Sequence, residues 1–78
     1  MKYGASTRLS PERALEKAKD FFGKLKVALA EESAKHLLFK DESGYVQVIV
    51  TARDQETELD IETKGFDQSV KQFLQRIG

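Results

Sequence analysis

The closing segment "ETELDIETKGFDQSVKQFLQRIG" changes period at its middle, and this change constrains the fold more than any other feature of the chain. From Glu56 to Thr63 the residues alternate. Thr57, Leu59, Ile61 and Thr63 share one parity, and Glu56, Glu58, Asp60 and Glu62 share the other. A period of two marks a strand with one face in a core and one in water. Further on, Val70, Phe73, Leu74 and Ile77 form a helical stripe. The pattern predicts a strand with an acidic outer row, a polar turn "TKG", and a helix that folds back over the strand's apolar side. Asp67 is the expected N-cap of that helix, and Arg76 suits its last turn.

A second helix is signalled by "LSPERALEKAKDFFG". Ser10 can accept a hydrogen bond from an otherwise unpaired backbone N–H. Pro11 sits at the first helical position, where a missing N–H costs nothing. Ala14, Leu15, Ala18, Phe21 and Phe22 fall on one stripe, and Gly23 is expected to end the helix in the left-handed conformation. Before it, Tyr3, Ala5, Thr7 and Leu9 share a parity and predict a short first strand.

Three more segments alternate. Leu25, Val27 and Leu29 oppose Lys24, Lys26, Ala28 and Ala30. Leu37 and Phe39 oppose His36, Leu38 and Lys40. Val46, Val48 and Val50 oppose Tyr45, Gln47, Ile49 and Thr51. The links "EESA", "DESG" and "RDQE" are short and polar, which suits antiparallel hairpins. The expected order is β-α-β-β-β-β-α. Two amphipathic helices and a sheet with one apolar face predict an α+β, two-layer domain over residues 1–78, with both helices on one face of an antiparallel sheet. The expected core adds Leu15, Ala18, Phe21, Phe22, Val70, Phe73, Leu74 and Ile77 to the inward strand residues, including Leu29, Leu59 and Ile61.

The chain has 78 residues, and a domain of that size buries only ~60% of the surface its unfolded form exposes. The core is therefore one thin layer with little room for a deep enclosed site. Thirteen basic residues balance thirteen acidic ones, unlike the charge excess of a nucleic-acid binder. The absence of cysteine removes disulfides, thiolate nucleophiles and sulfur-ligated zinc. No apolar run approaches the ~20 residues that span a bilayer. "MKYGASTRLS" lacks the apolar stretch of a signal peptide, and the expectation is a cytoplasmic protein with no membrane association.

No residue set carries chemistry by itself. His36 has no serine or cysteine nucleophile placed for it, and it reads as a surface side chain. The row Glu56, Glu58, Asp60 and Glu62 spreads along an extended strand at ~6–7 Å intervals and does not converge on one ion. Cross-strand pairing with Arg53 or Lys64 is the simpler expectation. The scattered glycines form no phosphate-cradling loop. No cofactor, metal or catalytic residue is expected. The outer parity does carry apolar residues on three neighbouring strands: Ala28, Ala30, Leu38, Tyr45 and Ile49. Contiguous exposed apolar surface marks contact sites.

The helix "SPERALEKAKDFF" after a first strand, the meander from Leu25 to Thr63 and the closing "FDQSVKQFLQRIG" together resemble the half-repeat of the TATA-box-binding-protein fold. They are also similar to a shortened helix-grip domain of the START and plant-pollen-allergen type, a look shared by small uncharacterised prokaryotic proteins. The resemblance implies a strand order of 1-5-4-3-2, with the first strand beside the acidic one. Its nucleic-acid-binding members grip DNA with the exposed sheet face, but here that face carries the acidic row, which repels phosphate. Its ligand-binding members hold apolar molecules between sheet and helix, with extra strands and small helices that this chain lacks.

The leading expectation is a non-enzymatic module that associates with itself or with a protein partner through the outer face or a strand edge. The alternative is a small apolar-ligand binder, with a cavity lined by Phe21, Phe22, Phe39 and Phe73. Nucleic-acid binding would require Lys17, Lys19, Lys24, Lys26, Lys35 and Lys40 to cluster in space.

Overall fold

The period-two segments become the strands of a single sheet, and the two period-four segments become helices laid across one side of it. The structure, a computed structural model, describes residues 1–25 and 27–77. The elements are β1 (Lys2–Thr7), α1 (Pro11–Gly23), β2 (Ala28–Glu32), β3 (His36–Asp41), β4 (Gly44–Arg53), β5 (Glu56–Lys64) and α2 (Asp67–Ile77). The five strands pair antiparallel in the order β1-β5-β4-β3-β2, the order that the resemblance implies. Helix α1 lies over β3 and β4, α2 lies over β5, and the helices touch each other.

The core is the single layer between helices and sheet. Leu37, Phe39, Val46, Val48, Val50, Leu59 and Ile61 bury from the sheet, against Ala14, Leu15, Ala18, Phe22, Val70, Phe73 and Ile77 from the helices. Burying a large apolar side chain is worth ~1.5–3 kcal/mol, so this layer dominates the stability. Thr57 and Thr63 are buried in it because their hydroxyls are satisfied by backbone carbonyls: Thr57 donates to Leu9 (2.7 Å) and Thr63 to Tyr45 (2.8 Å).

Several local expectations need correction. Gly23 does not end α1 in the left-handed conformation. It is the last helical residue, and Lys24 caps the helix with φ −82°. The amides of Lys24 and Leu25 instead close three-residue bonds to Phe21 and Phe22, which tighten the last turn. Asp67 is not the N-cap of α2 but its first helical residue. The Phe66 carbonyl accepts the first bond, from the Val70 amide, and the Asp67 carboxylate is taken by the Tyr3 hydroxyl at 2.8 Å. At the other helix, Ser10 caps as expected, accepting from the Arg13 amide.

The largest departure is in β2. Pairing runs Ala28 to Lys40 and Leu29 to Phe39, then shifts so that Glu31 meets Leu38 and Glu32 meets Leu37. Ala30 is the extra residue of a β-bulge. After the bulge the parity reverses, so Glu32 turns to the helix side and its carboxylate takes Lys19 of α1 at 2.7 Å. Leu29 lies near the rim and is 37% exposed, not buried, and Phe21, Leu25 and Leu74 only half-bury against the core. Lys26, expected on the outer parity of this strand, lies outside the described residues.

The turns follow their chemistry. The Asp41 carboxylate accepts from the Ser43 amide (2.7 Å), the Ser43 hydroxyl (2.7 Å) and the Gly44 amide (3.2 Å), which closes the β3–β4 hairpin. In the β4–β5 hairpin Asp54 adopts φ 49°, a left-handed position that a short polar side chain tolerates.

Candidate functional site

Because both helices cover one side, the other side of the sheet is left open. Strand register places its residues in rows. One row reads Ala28, Lys40, Tyr45, Lys64 from β2 to β5. The next reads Glu31, Leu38, Gln47, Glu62, Lys2 and reaches β1. The third reads His36, Ile49, Asp60, Gly4. Thr51, Glu58 and Ser6 follow, then Arg53 and Glu56.

Of the five residues expected on this face, four sit on it. Leu38 and Tyr45 are half-buried by their neighbours, Ile49 is 37% exposed, and Ala28 is exposed beside Lys40. Ala30 is displaced into the bulge, and Glu31 takes the place opposite Leu38. The apolar centre is thus Leu38, Tyr45 and Ile49, with Gln47 between them. Gln47 stands where its parity placed it, between Tyr45 and Ile49; unexpected on the face beside Gln47 is Glu31. The adjacent pair Glu31–Glu32 carried the only signal for the latter, since two acids in succession on a regular strand point to opposite faces of the sheet, one of them toward the helices.

The polar rim is internally paired. The Tyr45 hydroxyl donates to Glu62 at 2.7 Å, and that bond, with partial burial and the carboxylate's charge, holds the phenol above its ordinary value. His36 Nε2 lies 3.3 Å from Gln47 Oε1. Arg53 Nε meets Glu58 at 3.0 Å, the cross-strand pairing expected of the acidic row. Opposite Asp60, Gly4 has open space where a Cβ would stand. A shallow hollow of about 220 Å³ lies beside it, bordered by Lys2, Gln47, Ile49, Asp60 and Glu62. Among the described residues, no group of three histidine or acidic side chains is placed to hold a metal ion, and no helix is long and apolar enough to cross a membrane.

The four phenylalanines that would line an apolar-ligand cavity lie ring against ring. Phe22 sits 5.2 Å from Phe21, 5.1 Å from Phe73 and 6.0 Å from Phe39 between centroids. Phe22, Phe39 and Phe73 are buried in the core, and Phe21 closes its rim. Such packing fills the layer between helices and sheet. The lysines that nucleic-acid binding would require to cluster lie on different elements. Lys19 is paired with Glu32 at the β2 side, Lys40 is on the open face, and Lys17 and Lys24 are on α1. Lys26 lies outside the described residues. No protein-family model matches this chain, and no curated protein matches its sequence.

Proposed function

We propose that this chain is a non-enzymatic association module that binds a second copy of itself through the open face of its sheet. The observation that carries this reading is the face itself: Leu38, Tyr45 and Ile49 lie at its centre with no element of the described residues above them. Apolar surface gathered at the middle of a polar rim is the anatomy of an interface.

The charges on the face favour a second copy as occupant. With a two-fold axis parallel to β4, the two faces oppose β3 to β5 and β2 to β1. Ile49 then meets Ile49, His36 meets Asp60, and Lys2 meets Glu31, each charged pairing occurring twice. Lys40 with Lys64 and Arg53 with its own copy are like-charge meetings, at the two ends of the face, and Leu38 meets Glu62. Five strands ~4.8 Å apart span roughly 19 Å, and the nine residues of β5 about 30 Å. That footprint is of the order needed to bury ~800 Å² per partner in a specific interface.

The β2 edge is poorly suited to edge pairing. The β2 edge is kinked by the Ala30 bulge and carries Glu31 and Glu32, devices that block strand addition.

Ile49→Lys tests the reading. The lysine stands opposite Asp60 of its own face, so the monomer tolerates it, and it meets its own copy across the axis. Sedimentation velocity should then show a dimer for the parent chain and a monomer for Ile49→Lys, with unchanged circular dichroism. A variant that keeps the parent assembly state contradicts the reading.

A further inference from the structure

The helix side carries a different feature. Two hollows join where α1, α2 and the β1–α1 link meet. The larger, about 560 Å³, is bordered by Arg8, Leu9, Lys17, Glu56, Arg76 and Ile77. The smaller, about 190 Å³, shares Lys17, Arg76 and Ile77 and adds Asp20, Phe21, Lys24 and Phe73. Four cations from three chain segments thus border one cleft against two carboxylates. Arg13, Lys19 and Arg53 are ion-paired elsewhere on the surface. Among the described residues, Arg8, Lys17, Lys24 and Arg76 make no such pair.

The cleft has fixed walls. The Thr7 hydroxyl donates to the Ile77 carbonyl at 3.1 Å and accepts from the Leu9 amide at 3.3 Å, tying the link to the end of α2. Arg76 is held with its guanidinium 5.4 Å from the centroid of the Phe21 ring. A chain that is neutral as a whole therefore concentrates positive charge beside the part-exposed ring of Phe21, with Phe73 and Ile77 buried beneath it.

We propose that this cleft binds a small phosphate monoester bearing an aromatic or apolar group. The phosphate lies among Arg8, Lys17 and Arg76, and the organic part lies beside Phe21, the ring left part-exposed at the cleft. A monoester carries about −1.5 to −2 charge at neutral pH, which matches the surplus of two cations. Guanidinium groups suit its oxygens through paired N–H bonds. The larger hollow falls within the ~300–1,000 Å³ of small-molecule sites. A polynucleotide carries more phosphates than these cations can pair, and Glu56 and Asp20 at the border repel the rest.

The test is a backbone-amide NMR titration of the full chain with inorganic phosphate and with phenyl phosphate at low ionic strength. Phenyl phosphate should give saturable shifts at Arg8, Lys17, Phe21 and Arg76, and inorganic phosphate the same set with weaker affinity. Lys17→Gln and Arg76→Gln, both at exposed positions, should each weaken phenyl phosphate at least tenfold while leaving the circular dichroism unchanged. At tenfold the dissociation constant, phenyl phosphate should raise Tm by roughly 5–10 °C. Shifts that never saturate, or that persist unaltered in both variants, overturn the proposal. So does a short DNA oligonucleotide that binds these residues when phenyl phosphate does not.

Discussion

The backbone carbonyl of Lys64 occupies the space that a Cβ on Gly44 would need. The β3–β4 hairpin therefore rests directly on the end of β5, and Gly65 completes the contact from the other side. Gly65 has φ 92°, and a Cβ there would stand 2.8 Å from the Ser43 carbonyl. Neither obstacle is a flexible side chain, so neither can move aside without disturbing the Tyr45–Lys64 pairing. Gly44→Ala and Gly65→Ala should each cost about 2 kcal/mol or more in chemical denaturation. Gly23→Ala should act in the opposite direction, adding about 0.5 kcal/mol, because Gly23 is helical, exposed and has open space around it.

Two tyrosines link stability to alkaline pH. Tyr3 donates to Asp67 and Tyr45 donates to Glu62, and these bonds hold both phenols above the ordinary value of 10.0. A raised value in the folded chain means that the neutral phenol is favoured there. The stabilisation is complete below pH 10 and is lost as pH climbs through the raised values. Glu62→Gln should move the Tyr45 transition, followed by absorbance at 295 nm, back toward 10. Asp41 sets the acid side: hydrogen bonds from Ser43 and Gly44 hold its carboxyl below the ordinary value of 3.8. Its contribution is present above that value and disappears as pH falls through the lowered one.

The bulge at Ala30 both aims Glu32 at Lys19 and bends the β2 edge. Deleting Ala30 keeps the pairing of Leu29 with Phe39 and of Glu31 with Leu38 while straightening the strand. The fold should survive, with a change in stability within about 1 kcal/mol, since the ion pair is half-exposed. The straightened edge should raise the rate of aggregation on heating, measured by light scattering, because an unbroken edge is a template for strand addition.

Periodicity made most of the architecture legible. The alternation in β4 and β5 separates buried Val46, Val48, Val50, Leu59 and Ile61 from the outer row. The Ser10–Pro11 start of α1 and the "DESG" turn followed from local chemistry. What escaped was set in one place by local backbone bonds and elsewhere by tertiary partners. Gly23 was expected to end α1 in the left-handed conformation, yet Lys24 closes it with a right-handed turn. Asp67 was drawn from capping by Tyr3, a residue 64 positions away. The parity of "KVALAEE" broke at Ala30 because Glu32 finds Lys19 only after α1 is in place. The apolar patch was readable strand by strand, Gln47 included, but Glu31 entered it through the shifted register of β2, which spacing alone does not show. The cationic cleft joins Arg8, Lys17, Lys24 and Arg76 from distant segments, and no local pattern gathers them.

Static light scattering after size exclusion, over a hundredfold range of concentration, tests self-association through the open sheet face most directly. The parent chain should approach twice its 8.8 kDa mass at the upper end, while Ile49→Lys stays at 8.8 kDa throughout. A parent chain that reads 8.8 kDa at every concentration would contradict it.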